Sequence, residues 1–134
     1  MDGATPTFLN RVYEEAMTLL LEARDYVARH EAMECRTLTM RARLSVSRET
    51  LRITSRLTQV MAWLLIQKAV LAGELSRAEA AADPHRLSGH GVCSDTKGGQ
   101  FEGIPPRLSN LLRRSHSLYS RISRLDELVG TVAS

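Results

Sequence analysis

The stretch TMRARLSVSRETLRITSRLTQVMAWLLIQKAVLAG, residues 39–73, decides the fold. It holds no proline, its only glycine is the last residue, and its apolar side chains come too densely for a loop. The reading is one helix over 39–72, stopped by Gly73 in the left-handed conformation that commonly ends a helix. Such a helix is about 50 Å long and forms the spine of a domain. Its two halves differ. The first mixes Leu44, Leu51, Ile53 and Leu57 with Ser45, Ser47, Thr50, Thr54, Ser55 and Thr58, whereas residues 60–66 are apolar all the way round. A helix apolar on every side has to be covered on every side. Val60, Met61, Trp63, Leu64 and Ile66 therefore form either a core seam or the seam between two copies.

Working outward, Thr5 offers an end-capping hydroxyl and Pro6 suits a first helical position, so a helix over about 6–29 precedes the spine. Leu9, Val12, Ala16, Leu20, Ala23 and Val27 give it one apolar stripe, and residues 31–37 read as a connection. After the spine, Ser76 and Glu79 have capping-box spacing and start a short helix through Ala82. Residues 83–103 carry Pro84 and five glycines and form a loop long enough to suggest function or disorder. The last helix covers about 105–129. Ile104, Leu108, Leu111, Ser115, Leu118, Ile122, Leu125 and Val129 alternate three- and four-residue steps as a heptad seam ending at Gly130. The expected fold is all-α: an antiparallel three-helix bundle with a long central helix and a long loop before the last helix, one domain over 1–134.

Composition agrees. The 134 residues suffice for one core, 43% are apolar and 25% charged, and aromatics are 4%, so aliphatic side chains and alanine fill the interior. The formal net charge is only +3. Of the 18 basic residues only Lys68 and Lys97 are lysines, and arginine forks suit carboxylate pairing in protein contacts. The opening MDGATPT has neither the basic nor the apolar part of a signal peptide, and Cys35 and Cys93 stand alone, which fits a reducing cytoplasmic setting. The longest apolar run is far short of the roughly 20 residues of a membrane span.

Few residues suggest chemistry. His85, His90 and Cys93 lie close together, but a closed zinc site needs a fourth ligand, here His30 or Cys35 from far away. Cys93 beside His85 or His90 has the residue types of an activated thiol without a recognisable oxyanion hole. Phosphate-loop, dinucleotide, nucleophile-elbow and zinc-protease patterns do not occur. Asp126 and Glu127, one apart, point in different directions and make a poor acid and base couple. No enzyme, metal or cofactor is expected. Arg48, Arg52 and Arg56 at four-residue steps form a basic ridge and a candidate partner-binding surface, and Arg107, Arg114 and Arg121 form another at seven-residue steps. Such ridges could follow phosphates, which makes a small nucleic-acid-binding regulator the alternative function. The plainer reading pairs them with Glu14, Glu15, Glu22 and Asp25.

Three segments, VYEEAMTLLLEARDYV at 12–27, ETLRITSRLTQVMAWLLIQKAVLAGELS at 49–76 and PPRLSNLLRRSHSLYSRISRLDEL at 105–128, resemble the RcdA family of alphaproteobacterial proteins, named for regulation of CtrA degradation. The resemblance covers about half of the chain and all the long helices. It implies a three-helix bundle that forms homodimers and serves as a non-catalytic adaptor for the ClpXP protease. Such adaptors hold cargo, including cell-cycle transcription regulators, and deliver it to a protease primed by a response regulator. The last expected helix ends close to Ser134, leaving little room for the flexible C-terminal extension that some relatives carry.

Overall fold

The computed structural model describes residues 4–96 and 101–133. The elements in chain order are α1 (Ala4–Asp25), a π-helical turn (Tyr26–His30), α2 (Glu31–Glu34), α3 (Met40–Leu71), α4 (Arg77–Ala80), a 3-10 turn (Asp83–His85), α5 (His90–Cys93) and α6 (Pro106–Ala133). The described residues are all-helical, without a strand.

The spine stands where the sequence puts it. The Thr39 hydroxyl accepts from the Ala42 amide at 3.1 Å and caps the first turn. At the far end Gly73 has φ +78°, so the chain turns away after Leu71. The capping box at Ser76 and Glu79 is present with both of its bonds, and these hold the Glu79 carboxyl below its usual range. That helix stops at Ala80, short of Ala82.

The first helix departs from expectation at both ends. Thr5 and Pro6 already lie within α1, so neither begins it. The helix does not fade at residue 29 but continues through the π-turn, where the Glu31 amide reaches back to the Tyr26 carbonyl, and on to Glu34; the connection is 35–39. The buried stripe of α1 runs Leu9, Val12, Ala16, Leu19, Ala23 and Tyr26. It takes Leu19 and Tyr26 where Leu20 and Val27 were expected, because strict alternation of three- and four-residue steps keeps it facing α3 and α6.

Side-chain pairs give the directions of the long helices. Lys68 lies 4.2 Å over the Tyr13 ring and the Thr50 hydroxyl reaches Glu31 at 3.5 Å, so α1 and α3 run oppositely. Arg114 pairs with Glu22 and Arg121 with Glu15, so α1 and α6 also run oppositely. In contrast, Arg56 of α3 contacts Leu112 and Ser115 of α6, and Trp63 contacts Asp126. Both numbers rise together, so α3 and α6 are parallel. The expected antiparallel arrangement is thereby corrected, and the reason is the segment between them. Residues 72–96 turn back along α3 and residues 101–105 lead into α6, as a long crossover connection must. Part of the expected loop 83–103, residues 97–100, lies outside the described residues.

The core gathers Leu9, Val12, Ala16 and Leu19 from α1, Val46, Ile53, Leu57, Val60, Trp63 and Leu64 from α3, and Leu108, Leu111, Leu112, Leu118, Tyr119 and Ile122 from α6. The seam of α6 is buried from Leu108 to Ile122, with Ser115 among it. Gly130 does not end the helix, which continues to Ala133; a Cβ there would come within 2.5 Å of the Arg86 guanidinium, so the glycine makes room for that side chain.

Candidate functional site

The crossover is fastened into the groove between α3 and α6 by two buried charged groups. Residues in a four-residue row advance about 40° beyond a full turn at each step, so the row Arg48, Arg52, Arg56 spirals off the outer face of α3 toward the core. Arg48 keeps its side chain 56% exposed, but Arg52 and Arg56 as residues are only 8% and 2% exposed. Arg52 and Arg56 are therefore not a partner-binding surface, and the expected ridge is corrected to a single exposed member, Arg48. Arg56 donates to the carbonyls of Cys93 at 2.8 Å, Asp95 at 3.1 Å and Leu112 at 3.0 Å, and to the Ser115 hydroxyl at 3.0 Å. Burial, and then the neighbouring Arg52 charge, lower its pKa, while the four acceptors stabilise the cation. Arg52 completes the cluster. It bonds Glu49 at 2.8 Å and lies 3.6 Å from the Asp95 carboxylate, while Arg48 takes the other oxygen of the fully buried Glu49.

At the opposite end of the strap one carboxylate does the same work with the sign reversed. Asp126 Oδ1 accepts from the Trp63 indole at 3.0 Å, Arg86 at 2.8 Å and the Leu87 amide at 3.2 Å. Between the two anchors the Tyr119 hydroxyl donates to the Ser88 carbonyl at 2.8 Å, and Gln59 accepts from both the amide and the hydroxyl of Ser88. Burial raises the Tyr119 pKa to about 12, which keeps this donor protonated.

The residues singled out for metal or thiol chemistry do not converge. His85 meets the Glu79 carbonyl, and His90 meets the Leu87 carbonyl and the Tyr119 hydroxyl. Cys93 is buried and free, and burial pushes its thiol pKa up, the opposite of activation. Gly89, with φ +77°, turns the chain there, and a Cβ on it would lie 3.2 Å from the Cys93 sulfur. Among the described residues no group of three or more His, Cys, Asp or Glu side chains could hold a metal ion. The second arginine row is neutralised: Arg107 pairs with Glu34, Arg114 with Glu22 and Arg121 with Glu15. A cleft of about 400 Å³ beside the π-turn is crossed by the Arg114–Glu22 pair and lined also by Asp25, Tyr26 and His30.

The apolar run 60–66 divides by face. Val60, Trp63 and Leu64 are core, Met61 and Ile66 are half-buried, and Ala62 and Leu65 are exposed. Those last two belong to a feature that the sequence reading missed. Met40, Leu44, Ser47, Leu51, Thr54, Thr58, Ala62 and Leu65 are all exposed and follow one another at three- and four-residue steps. This uncharged seam runs along the outer face of α3 and is turned away from α1 and α6. Its large members Met40, Leu44, Leu51 and Leu65 are 69%, 64%, 69% and 53% exposed. The signal was in the sequence, since a seam on the side opposite Val46, Ile53, Leu57, Val60 and Leu64 requires a second surface to cover it.

An all-helical body with buried charges serving as anchors and an unpaired apolar seam has the features of a protein-binding module. The family profile described as "Protein of unknown function (DUF1465)" matches residues 1–134. No curated protein matches the sequence. Among solved structures the chain is similar to the crystal structure of RcdA from Caulobacter crescentus CB15, with 32% identity over 90% of this chain and 89% of that one and a TM-score of 0.70. The chain belongs to the RcdA family, the one that this profile describes.

Proposed function

We propose that the chain is a non-catalytic adaptor that tethers cell-cycle transcription regulators for degradation by the ClpXP protease, together with a priming response regulator. The observation that supports this most is the likeness to RcdA along nearly the whole of both chains. The physical mechanism is effective concentration: a chain that holds cargo and protease at once makes their encounter intramolecular, so modest affinities suffice. In this reading the long helices form one three-helix bundle over 1–134, and the adaptor is cytoplasmic. Among the described residues no helix is long and apolar enough to cross a membrane.

The adaptor is a homodimer in the same reading, with the second copy on the C-terminal half of the outer seam, around Thr58, Ala62 and Leu65. Small side chains at Thr58 and Ala62 let two helices approach, and exposed Leu65 supplies area to bury. Val60, Trp63 and Leu64 are occupied within the chain and do not serve as that seam.

The test is reconstituted degradation of a candidate cell-cycle regulator by ClpXP and its priming response regulator, with and without the chain. Faster loss of cargo only when the chain is present supports the proposal. Unchanged loss for every cargo tried, with a folded chain, sinks it.

A further inference from the structure

We propose that the first three turns of the outer α3 seam are a docking ridge for an acidic amphipathic helix of a partner protein. This inference deepens the adaptor reading by stating the chemistry of what is held. Met40, Leu44, Ser47 and Leu51 follow the 4-3-4 spacing of a helix-packing seam, and the three large side chains are each more than 60% exposed. From 40 to 51 is about 17 Å along the axis, the length of roughly three turns of a partner helix.

Charge selects the partner. On a helical projection Arg41 and Arg48 flank the seam on one side and Arg43 on the other; all three are exposed, Arg48 also holding Glu49 and Arg43 the carbonyls of Cys35 and Arg36. The only carboxylate of α3, Glu49, is 0% exposed and held by Arg48 and Arg52. The acids of the adjoining α2 are engaged elsewhere, Glu31 with Thr50 and Glu34 with Arg107. Every exposed charge of α3 along this ridge is therefore positive. A helix with apolar residues at i, i+3 or i+4 and i+7, edged by Asp or Glu, buries the methionine and leucines while its carboxylates meet the arginine forks. The unbranched Met40 at the end of the ridge adapts to differing partner side chains. A nucleic-acid backbone satisfies the arginines but leaves the apolar seam uncovered, so the protein partner is the better fit.

The probe is a labelled synthetic peptide of four helical turns, with leucines at seam positions and glutamates beside them, titrated with the full chain by fluorescence anisotropy. We expect binding that weakens with salt, and a scrambled peptide of the same composition that binds at least about tenfold more weakly. The Leu44→Asp and Arg41→Glu variants should each lose about tenfold or more with unchanged circular dichroism and urea midpoint. A lysine-edged version of the peptide should prefer the charge-reversed variant. Equal binding of the scrambled peptide, or of either variant, overturns the proposal. So does tighter binding of a DNA duplex or of anionic phospholipid vesicles that the same substitutions abolish, or dissociation of a dimer by Leu44→Asp. Because the titration contains no protease, its failure beside accelerated cargo degradation removes this inference alone. Peptide binding without accelerated degradation removes the adaptor reading alone.

Discussion

The two faces of α3 invert the usual order of a helix. The inward face buries Glu49, Arg52 and Arg56 beside Ile53, Leu57 and Val60, while the outward face leaves Met40, Leu44, Leu51 and Leu65 in solvent. The inward charges are explained by what covers them. The crossover strap has little regular structure, so its carbonyls need donors from elsewhere, and Arg56 supplies them to Cys93 and Asp95. The outward leucines are covered by nothing among the described residues, which is why a partner is proposed for them. The buried charges of this helix fasten the strap from within, while its outer apolar surface stays exposed.

If that division holds, removing the inner cation has the largest effect. Arg56→Met should cost about 3 kcal/mol or more in urea unfolding, because three carbonyls and a hydroxyl lose a buried charged donor. Arg48→Met should cost less, since that guanidinium is more than half exposed and Arg52 still holds Glu49. Equal costs would erase the distinction. Next comes the other anchor. Asp126→Ala should cost about 2–4 kcal/mol, leaving Trp63, Arg86 and the Leu87 amide without their acceptor, and should speed alkylation of buried Cys93 as the strap opens. An unchanged alkylation rate would mean that Asp126 does not hold the strap.

Alkaline pH probes both anchors through their neighbours. Burial raises the Cys93 pKa above its usual 9.0 and the Tyr119 pKa from 10.0 to about 12. The unfolded chain therefore loses these protons first. Their contribution is complete below about pH 9 and is lost as the pH rises toward 12. The urea midpoint should fall over that window, and Tyr119→Phe should lessen the fall above pH 10, to which Tyr26, its pKa also raised by burial, contributes as well. The smallest effect belongs to the outer face. Leu65→Glu should change the urea midpoint little, within about 0.5 kcal/mol, while shifting sedimentation from dimer to monomer.

Much of the fold was legible in the sequence: the three long helices, the turn at Gly73, the capping box at Ser76 and the α6 seam are local signals. The parallel course of α3 and α6 was not, because it depends on where the strap lies, and its anchors are isolated residues far apart in the chain. Those anchors still left a trace. Arg56 comes three residues after Ile53 and four before Val60, and Asp126 comes four after Ile122, so both sit in phase with apolar stripes. Reading the arginines as a straight ridge hid this, since a row of four-residue steps does not stay on one face. The exposed seam was hidden by its own composition, with serine, threonine and alanine diluting its leucines.

The most direct test of the outward face as the binding face is cargo degradation by ClpXP and its priming response regulator in the presence of the Arg41→Glu chain. The account predicts that this variant, with the urea midpoint of the unaltered chain, no longer accelerates loss of a cargo that the unaltered chain delivers. Full acceleration by the variant would contradict it.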